Sequence, residues 1–354
     1  MAHTGGRTAF IIGGTGQIGI AATRALTDHG WSVMIAHRGA HHGNPELAER
    51  DVTTVRLDRS DSETLLPLAR GHDLVVDTTA FDAQHAAQLA ELAGDVGSLV
   101  VISTGSVYAA PNGGYLDVAT GPDGFPDFPV PIAEDQPTID NAEKTYSPLK
   151  AELERRLLET EGLPVSILRP GAVHGPYSNM LREWYFIKRV LDNRPHVVLA
   201  YDGESRFSTT ATANLAELIR LCGEQPGVRV LNAADEEGLS VAEIGRTVFA
   251  AMDHAADILT FPGPPRGALG GSPWSVPNPI VLSMQRARDE LGYKQPVRYA
   301  DAVREEIEWM RDVLAGAARR QQSWREVFPA LTTRYGADAW FLYDAEDEFA
   351  RARA

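Results

Sequence analysis

Two side chains, Tyr146 and Lys150, have types and a spacing suited to proton transfer. They stand four residues apart in a helical pattern, and Pro148 between them suits a first helical turn. Residues four apart share one face of a helix, so the phenol and the ammonium can point at the same ligand. A nearby cation stabilises phenolate and lowers the pKa of a tyrosine from its usual value of about 10. The pair is a candidate general acid/base, although ordinary surface pairs have the same spacing.

A hydroxyl that holds the substrate oxygen against the phenol is expected upstream, in Val101-Ile102-Ser103-Thr104-Gly105-Ser106. Thr104 is the preferred donor, with Ser103 and Ser106 as substitutes. Turn capping is the alternative role for these two serines.

A glycine-rich turn opens the chain and reads Gly13-Gly14-Thr15-Gly16-Gln17-Ile18-Gly19. An apolar run precedes it and a helical pattern follows. In this context Gly13 permits a tight turn, Gly16 lets the backbone approach a pyrophosphate, and Gly19 lets helix and strand pack closely. Backbone amides at the start of the helix attract the anion. The turn therefore predicts a dinucleotide site.

The expected end of the second strand, His37-Arg38-Gly39, lacks the carboxylate that binds the ribose hydroxyls of NAD. Arg38 can pair with a 2′-phosphate, so we expect NADP(H) in preference to NAD(H). Stacking on the adenine is the alternative role for Arg38. Asp58 is placed to contact the adenine or to cap a turn, and its neighbour Arg59 is included in the predicted cofactor site.

Composition narrows the function classes. The 354 residues carry 33 Lys and Arg against 48 Asp and Glu, a formal charge of −15, which disfavours nucleic-acid binding. A lone cysteine, Cys222, excludes an intrachain disulfide and agrees with a cytoplasmic location. No apolar run is long enough to span a membrane, and no signal core precedes the first strand. The pair His41-His42 lacks further ligands, so no metal is predicted.

The first half of the chain alternates apolar and helical segments, which predicts an α/β fold of the Rossmann type, a doubly wound parallel sheet. The predicted strands are Thr8–Ile12, Ser32–Ala36, Thr54–Leu57, Leu74–Asp77, Leu99–Ser103 and Val165–Leu168. The predicted helices between them are Ile18–His29, Ser62–Arg70, Ala83–Ala93 and Pro148–Thr160. Residues 109–143, rich in Gly and Pro, are interpreted as a loop that covers the substrate, with a disordered insertion as the alternative.

Three regions are expected. Residues 1–175 form the dinucleotide-binding domain, to which a segment of about 205–235 is a candidate to return. Residues 176–315 form a smaller α/β substrate domain. Residues 316–354 form a helical tail whose aromatic side chains pack on the body or on a partner subunit.

The ordered motifs resemble the extended and atypical short-chain dehydrogenases/reductases, the NAD-dependent epimerase/dehydratase group. The resemblance covers about residues 8–312 and rests on the glycine turn, Ile102–Tyr108, Tyr146–Lys150, Leu168–Pro176 and Ala287–Pro296. It implies Thr104, Tyr146 and Lys150 as catalytic residues. It also implies cofactor contacts for Thr78, Thr79, Ala80, Pro170 and Val173, and Ser103 is included in the predicted cofactor site. A homodimer formed through a helix pair is a further option in this family.

Two departures bear on the substrate. Gly105-Ser106 stands where sugar-nucleotide dehydratases carry acidic residues, which disfavours dehydration. The family's Arg-x-Phe-x-x-Val-x-Asp pattern appears as Arg206-Phe207 followed by Asn214 at a shifted spacing, so a nucleotide sugar is not favoured. Candidate substrate contacts are Ser106, His174, Tyr177, Asn179 and Arg206, with a structural role as the alternative for His174.

These observations favour an NADP(H)-dependent oxidoreductase that interconverts a ketone and a secondary alcohol of a small molecule. An epimerase that retains its cofactor is one alternative. A cofactor-binding sensor or scaffold without turnover is another, although such relatives commonly lack the tyrosine or the lysine that this chain keeps.

Overall fold

The computed structural model describes residues 6–39, 45–50, 52–119 and 121–353. The histidine pair at 41–42 and the first five residues lie outside this part of the chain. The strands are β1 Thr8–Ile12, β2 Ser32–His37, β3 Val52–Arg56, β4 Leu74–Asp77, β5 Leu99–Ile102, β6 Val165–Pro170, β7 Ala172–His174, β8 His196–Leu199, β9 Thr209–Ala211, β10 Arg229–Ala233 and β11 Asp257–Thr260.

The helices vary from one turn to more than five turns in length. They are α1 Gln17–Asp28, α2 Pro45–Ala48, α3 Ser62–Ala69, α4 Ala83–Ala90, α5 Tyr146–Leu158, α6 Trp184–Leu191, α7 Thr212–Glu224, α8 Val241–Ala251, α9 Gln285–Leu291, α10 Tyr299–Arg319, α11 Trp324–Val327, α12 Pro329–Tyr335 and α13 Asp344–Arg351.

A parallel sheet of seven strands in the order β10-β6-β5-β4-β1-β2-β3 forms the centre. The chain winds outward from β1 to β3 on one side and from β4 onward on the other. The order therefore reverses between β1 and β4, and parallel sheets of this kind bind ligands at the carboxyl ends of the strands beside that point. The predicted doubly wound Rossmann-type sheet is confirmed.

Alternation along β1 explains the two layers of helices. Ala9 and Ile11 are buried in a cluster with side chains of α1 and α7, whereas Phe10 and Ile12 are buried in a second cluster with side chains of α3, α4 and α5. Both faces of the strand are apolar because both are covered, which is the origin of its continuous hydrophobic run.

The loop at 109–143 packs on the body of the protein. Tyr115, Ile132 and Ile139 are buried, and the Ile132 amide donates to the Val281 carbonyl at 2.7 Å. Ile139 donates in the same way to Val107 at 2.9 Å. These contacts argue against the alternative of a disordered insertion.

The C-terminal part carries two short ladders, β8 with β11 and β7 with β9, and an aromatic core. Trp184 of α6 lies 5.7 Å from both Trp324 and Phe328, measured between ring centroids. The aromatic tail therefore packs on the body of its own chain. In the described residues, no helix has the length and apolar character needed to cross a membrane.

Candidate active site

The glycine turn has the geometry that its sequence predicts. Gly13 has a φ of +85°, and a Cβ there would lie 2.4 Å from Thr78 Oγ1. A Cβ on Gly19 would lie 2.5 Å from the Gly13 carbonyl oxygen, so the helix and the turn are in contact. At Gly16 the nearest atom would be 3.5 Å away, which leaves this side open to a ligand.

Helix α1 begins at Gln17 with its first amides uncapped by any side chain and with no acidic residue in its first turn. An anion can therefore approach these amides without competition or repulsion. Gln17 donates from Nε2 to the Gly175 carbonyl at 3.0 Å, which ties the turn to the segment after β7. Thr15, Gln17 and Ile18 are partly exposed, whereas Gly14 is buried.

At the end of β2, the side chain of Arg38 is exposed, and His37 beside it is buried. Asp58 faces Arg38 closely enough for the positive charge to affect it, but hydrogen bonds from Ser60 are the main cause that lowers the pKa of Asp58. The guanidinium of Arg59 lies at the end of β4, where it forms an ion pair with Asp77 at 2.8 Å and donates to Thr79 Oγ1 at 3.4 Å. Of the two predicted cofactor-binding arginines, Arg38 and Arg59, Arg38 is therefore the one with an exposed side chain.

The end of β4 forms a turn around the Asp77 carboxylate. Its Oδ1 accepts from the amides of Thr79 and Ala80 at 2.8 Å each. Thr78 donates its hydroxyl to the Ile12 carbonyl at 3.0 Å, which joins β4 to β1 at the point where the strand order reverses. Thr78, Thr79 and Ala80 thus lie beside the glycine turn.

Lys150 reaches from α5 into the same region. Its Nζ donates to the carbonyls of Ala80 at 2.6 Å and Ile102 at 2.9 Å, so two of its three donors are used by the ends of β4 and β5. Burial lowers the pKa of Lys150 to about 8, against the opposing charges of Asp77 and Glu154. The third donor can serve a ligand hydroxyl.

Tyr146 and Thr104 lie side by side, and their hydroxyls share a hydrogen bond. Tyr146 keeps 46% of its surface exposed, so its phenol can meet a substrate. Burial of the phenol group and the negative charge of Asp117 raise its pKa, although the bond with Thr104 and the charge of Arg182 act in the opposite direction. The sequence-based expectation was a lowered pKa. The raised pKa keeps Tyr146 protonated at neutral pH.

Sequence reasoning missed four residues near the phenol. Asp117 comes from the loop at 109–143, Ser147 follows Tyr146, Arg182 precedes α6, and the ring of Phe81 lies 5.8 Å from the ring of Tyr146. Only Ser147 had a signal in the sequence, which is its position next to the candidate acid.

Ser106 is the predicted substrate contact that lies beside the candidate catalytic residues Thr104 and Tyr146. Its Oγ is 3.0 Å from Thr104 Oγ1 and 3.0 Å from Ser147 Oγ. A cavity of about 40 Å³ adjoins Thr104 and Ser106, and Pro170, Gly171, Phe207, Ser208, Ile280 and Leu282 complete its lining.

Ser103 is buried and its hydroxyl has no partner among the described residues. Val173 is partly exposed, and its carbonyl accepts from Arg182.

His174 does not face this cavity. It is 1% exposed, its Nε2 lies 2.8 Å from Asp235 Oδ2, and its Nδ1 lies 3.8 Å from Glu306 Oε2. Burial is the largest single influence on the pKa of His174 and would lower it. The charge of Asp235 and its hydrogen bond, together with Glu306 and Glu183, outweigh burial and raise the pKa well above its usual value. Burial and the charge of Glu183 raise the pKa of Glu306 to about 8. The structure thus gives His174 the structural role.

Three other predicted substrate contacts are also separate from the cavity. Arg206 donates to the Gly238 carbonyl at 2.6 Å and pairs with Glu204 and Glu243. Tyr177 lines a groove beside α1 and lies 5.7 Å from the ring of Trp309. Asn179 is exposed.

The comparisons with known proteins agree with this geometry. The model of the NAD dependent epimerase/dehydratase family matches residues 9–234. A 2′-dehydrokanamycin reductase of Streptomyces kanamyceticus is 35% identical over 97 residues, which are 27% of this chain and 27% of that protein. The match thus spans about a quarter of the length of that relative.

Solved structures show the same fold at low identity. A UDP-N-acetylglucosamine 4-epimerase from Methanobrevibacter ruminantium M1 has a TM-score of 0.67 and 17% identity, with 87% of this chain and 99% of that chain covered. A dTDP-glucose 4,6-dehydratase from Bacillus anthracis, in complex with NAD, has a TM-score of 0.64 and 17% identity over 86% and 97% of the two chains. Since the family model covers more than half of the chain, this protein belongs to the NAD-dependent epimerase/dehydratase family and is an enzyme of the extended short-chain dehydrogenase/reductase type.

Proposed function

We propose that this enzyme is an NADP(H)-dependent oxidoreductase that reduces a ketone of a small molecule, or oxidises the matching secondary alcohol. The observation that carries the proposal is the contact of a protonated Tyr146 with Thr104, beside the Lys150 ammonium at the ends of β4 and β5.

The residues of the glycine turn fit a dinucleotide. The open side of Gly16 and the uncapped amides of α1 would hold the pyrophosphate, and the exposed Arg38 would bind a 2′-phosphate. When bound, the nicotinamide supplies or accepts a hydride. Lys150 would donate to a ribose hydroxyl with its remaining N–H bond.

The proton chemistry belongs to the chain itself. Thr104 holds the phenol of Tyr146 against the carbonyl oxygen of the substrate, and Tyr146 gives that oxygen its proton as negative charge develops there. A tyrosine with a raised pKa holds its proton at neutral pH, which favours the direction of reduction. The partial likeness to a reductase supports the same direction.

The alternative function is epimerisation of a sugar or sugar nucleotide, which the family and the solved 4-epimerases favour. The position of Arg206 argues against a nucleotide sugar as the substrate. Its guanidinium is bound to the Gly238 carbonyl and to two glutamates, and it does not line the cavity.

The test is an absorbance assay in which purified enzyme receives NADPH or NADH with a panel of small ketones, including keto sugars. Consumption of NADPH with any ketone supports the proposal. Interconversion of epimers with no net change in the nicotinamide absorbance would contradict the proposal and support the epimerase alternative.

A further inference from the structure

A continuous row of hydroxyl groups leads away from the phenol of Tyr146. Thr104 Oγ1 contacts that phenol and lies 3.0 Å from Ser106 Oγ. Ser106 Oγ lies 3.0 Å from Ser147 Oγ, and Ser147 Oγ lies 2.6 Å from Asp117 Oδ1. The row therefore ends at a carboxylate.

That carboxylate fixes the direction of every hydrogen bond in the row. An ionised carboxylate only accepts, so the single hydroxyl proton of Ser147 points at Asp117. Ser106 must then donate to Ser147, and Thr104 must donate to Ser106. With the phenol protonated and Asp117 ionised, Tyr146 is therefore the donor to Thr104. Once the phenol has lost its proton, Thr104 turns to donate to the phenolate, and this bond is the one that lowers the pKa of Tyr146.

The two ends of the row differ in their access to solvent. A substrate placed against Tyr146 and Thr104 covers the phenol, whereas Asp117 is exposed on the loop at 109–143. The backbone amide of Ser147 also donates to Asp117 Oδ2 at 2.7 Å, so both carboxylate oxygens are held in place. Asp117 thus stays in contact with water when a substrate covers the phenol.

We infer that Asp117 and Ser147 are positioning residues of a proton relay that connects Tyr146 with solvent through Ser106 and Thr104. This inference rests on the proposed role of Tyr146 as proton donor. It gives Asp117 of the loop at 109–143 a part in proton transfer. Proton donation by Tyr146 to the substrate does not by itself require such a residue.

The proton count is closed in each turnover. Tyr146 loses its proton to the substrate oxygen and becomes a phenolate. Asp117 takes a proton from an acid of the solvent and donates it toward Ser147, so that each hydroxyl of the row rotates and the direction of every hydrogen bond reverses. The phenolate then takes the proton of Thr104, Thr104 takes that of Ser106, Ser106 takes that of Ser147, and Ser147 takes that of Asp117. The final state is the observed one, and alcohol oxidation runs the same sequence in reverse.

Two charges act on the phenol directly, those of Asp117 and Arg182, and Lys150 lies one turn further along α5. The negative charge of Asp117 disfavours phenolate, so its removal should lower the pKa of Tyr146. Asp117 can influence the pKa of Tyr146 directly through its electric field or through the hydrogen bonds of the row. A double-mutant cycle separates these two contributions.

The test is an ultraviolet titration of phenolate in the full-length protein, from which the titration of Tyr146→Phe is subtracted to isolate Tyr146. Four proteins are compared: wild type, Asp117→Asn, Ser147→Ala and the double variant. We expect Asp117→Asn to lower the pKa of Tyr146, and to lower it by less when Ser147 is already absent. Asp123→Asn, an exposed acid of the same loop, is the control and should leave the titration unchanged.

Equal effects of Asp117→Asn with and without Ser147, or no effect at all, would overturn the relay. If Asp117→Asn fails to fold, Ser106→Ala with and without Ser147→Ala provides the same cycle inside the row. With a ketone that the wild type reduces, Ser147→Ala should lower kcat about tenfold with KM unchanged. An enzyme that reduces no ketone but shows the titration coupling would refute the proposed function and leave the hydrogen-bonded row intact.

Discussion

The ammonium of Lys150 lies 2.6 Å from the carbonyl oxygen of Ala80, so the helix that carries Tyr146 is tied to the end of β4. The same ammonium donates to Ile102 at the end of β5. Through these bonds a single side chain sets the position of the candidate acid relative to the strand ends where a dinucleotide would lie. The cost is burial of a cation, and burial lowers the pKa of Lys150 to about 8.

A pH dependence of catalysis follows from this value. Lys150 is charged below its pKa and loses its charge as the pH rises through about 8. If the charged form supports phenolate during turnover, kcat/KM should fall between about pH 7 and 9. Lys150→Arg keeps its charge over this range, so the fall near pH 8 should disappear in that variant. A wild-type profile that stays level from pH 7 to about 9 would contradict the role of the charge.

The phenol of Tyr146 is expected to matter for chemistry and much less for cofactor binding. Tyr146→Phe removes only the proton donor, so kcat should fall by about 10² to 10⁴-fold. The Kd for NADPH, measured by calorimetry, should change by less than about threefold, because the glycine turn and α1 are untouched. Tyr201→Phe, whose side chain packs against the buried cluster of Val198, Ala200 and Phe261 in the C-terminal part, is the matched control. Full activity in Tyr146→Phe would refute the proposed mechanism.

Much of the candidate dinucleotide site could be predicted from the sequence, because its parts are adjacent in the chain. The run Thr8–Ile12 is apolar on both faces, and the glycines that follow occupy positions where a side chain would collide with the turn or with the helix. The sequence of adjacent residues is therefore enough to predict both the strand and the turn. Likewise, Tyr146 and Lys150 reach the site together because both lie on α5.

The parts that escaped prediction depend on contacts distant in sequence. Asp117 and Ser147 are 30 residues apart in the sequence and are joined by an irregular loop. No periodic sequence pattern predicts that their side chains form a hydrogen bond. His174 belongs to a strand of three residues, too short for a pattern to show, and its partners come from residues 235 and 306. The sequence places Arg59 next to Asp58 but does not show that its guanidinium pairs with Asp77 of the next strand.

Cofactor choice should depend on Arg38. A charge-assisted pair of this kind contributes about 1.5–3 kcal/mol, so Arg38→Ala should weaken NADPH binding by about 10- to 100-fold. NADH has no 2′-phosphate, so its Kd should stay nearly constant. Arg70→Ala, which breaks an exposed ion pair with Asp95, is the control and should affect neither cofactor. If Arg38→Ala weakens NADH and NADPH equally, Arg38 stacks on the adenine instead.

The buried group around His174 predicts how stability changes with pH. The pKa of His174 is raised in the folded state, so its contribution is complete below the unfolded value of about 6.5 and is lost as the pH rises through the folded pKa. Glu306 has a raised pKa of about 8, so the folded protein holds a proton there that the unfolded chain releases above about 4.5. Both groups therefore make the free energy of unfolding decrease with rising pH.

Glu306→Gln separates the two contributions, because glutamine keeps the shape of the side chain and does not titrate. Between about pH 5 and 8 the free energy of unfolding of the wild type should fall, relative to the variant, by about 1.4 kcal/mol per pH unit. Urea unfolding at several pH values measures this difference. Glu308→Gln, an exposed acid on the same helix, should follow the wild type. Parallel pH profiles for Glu306→Gln and the wild type would show that Glu306 ionises normally in the folded protein, and His174 would then have two anionic neighbours in the core at neutral pH.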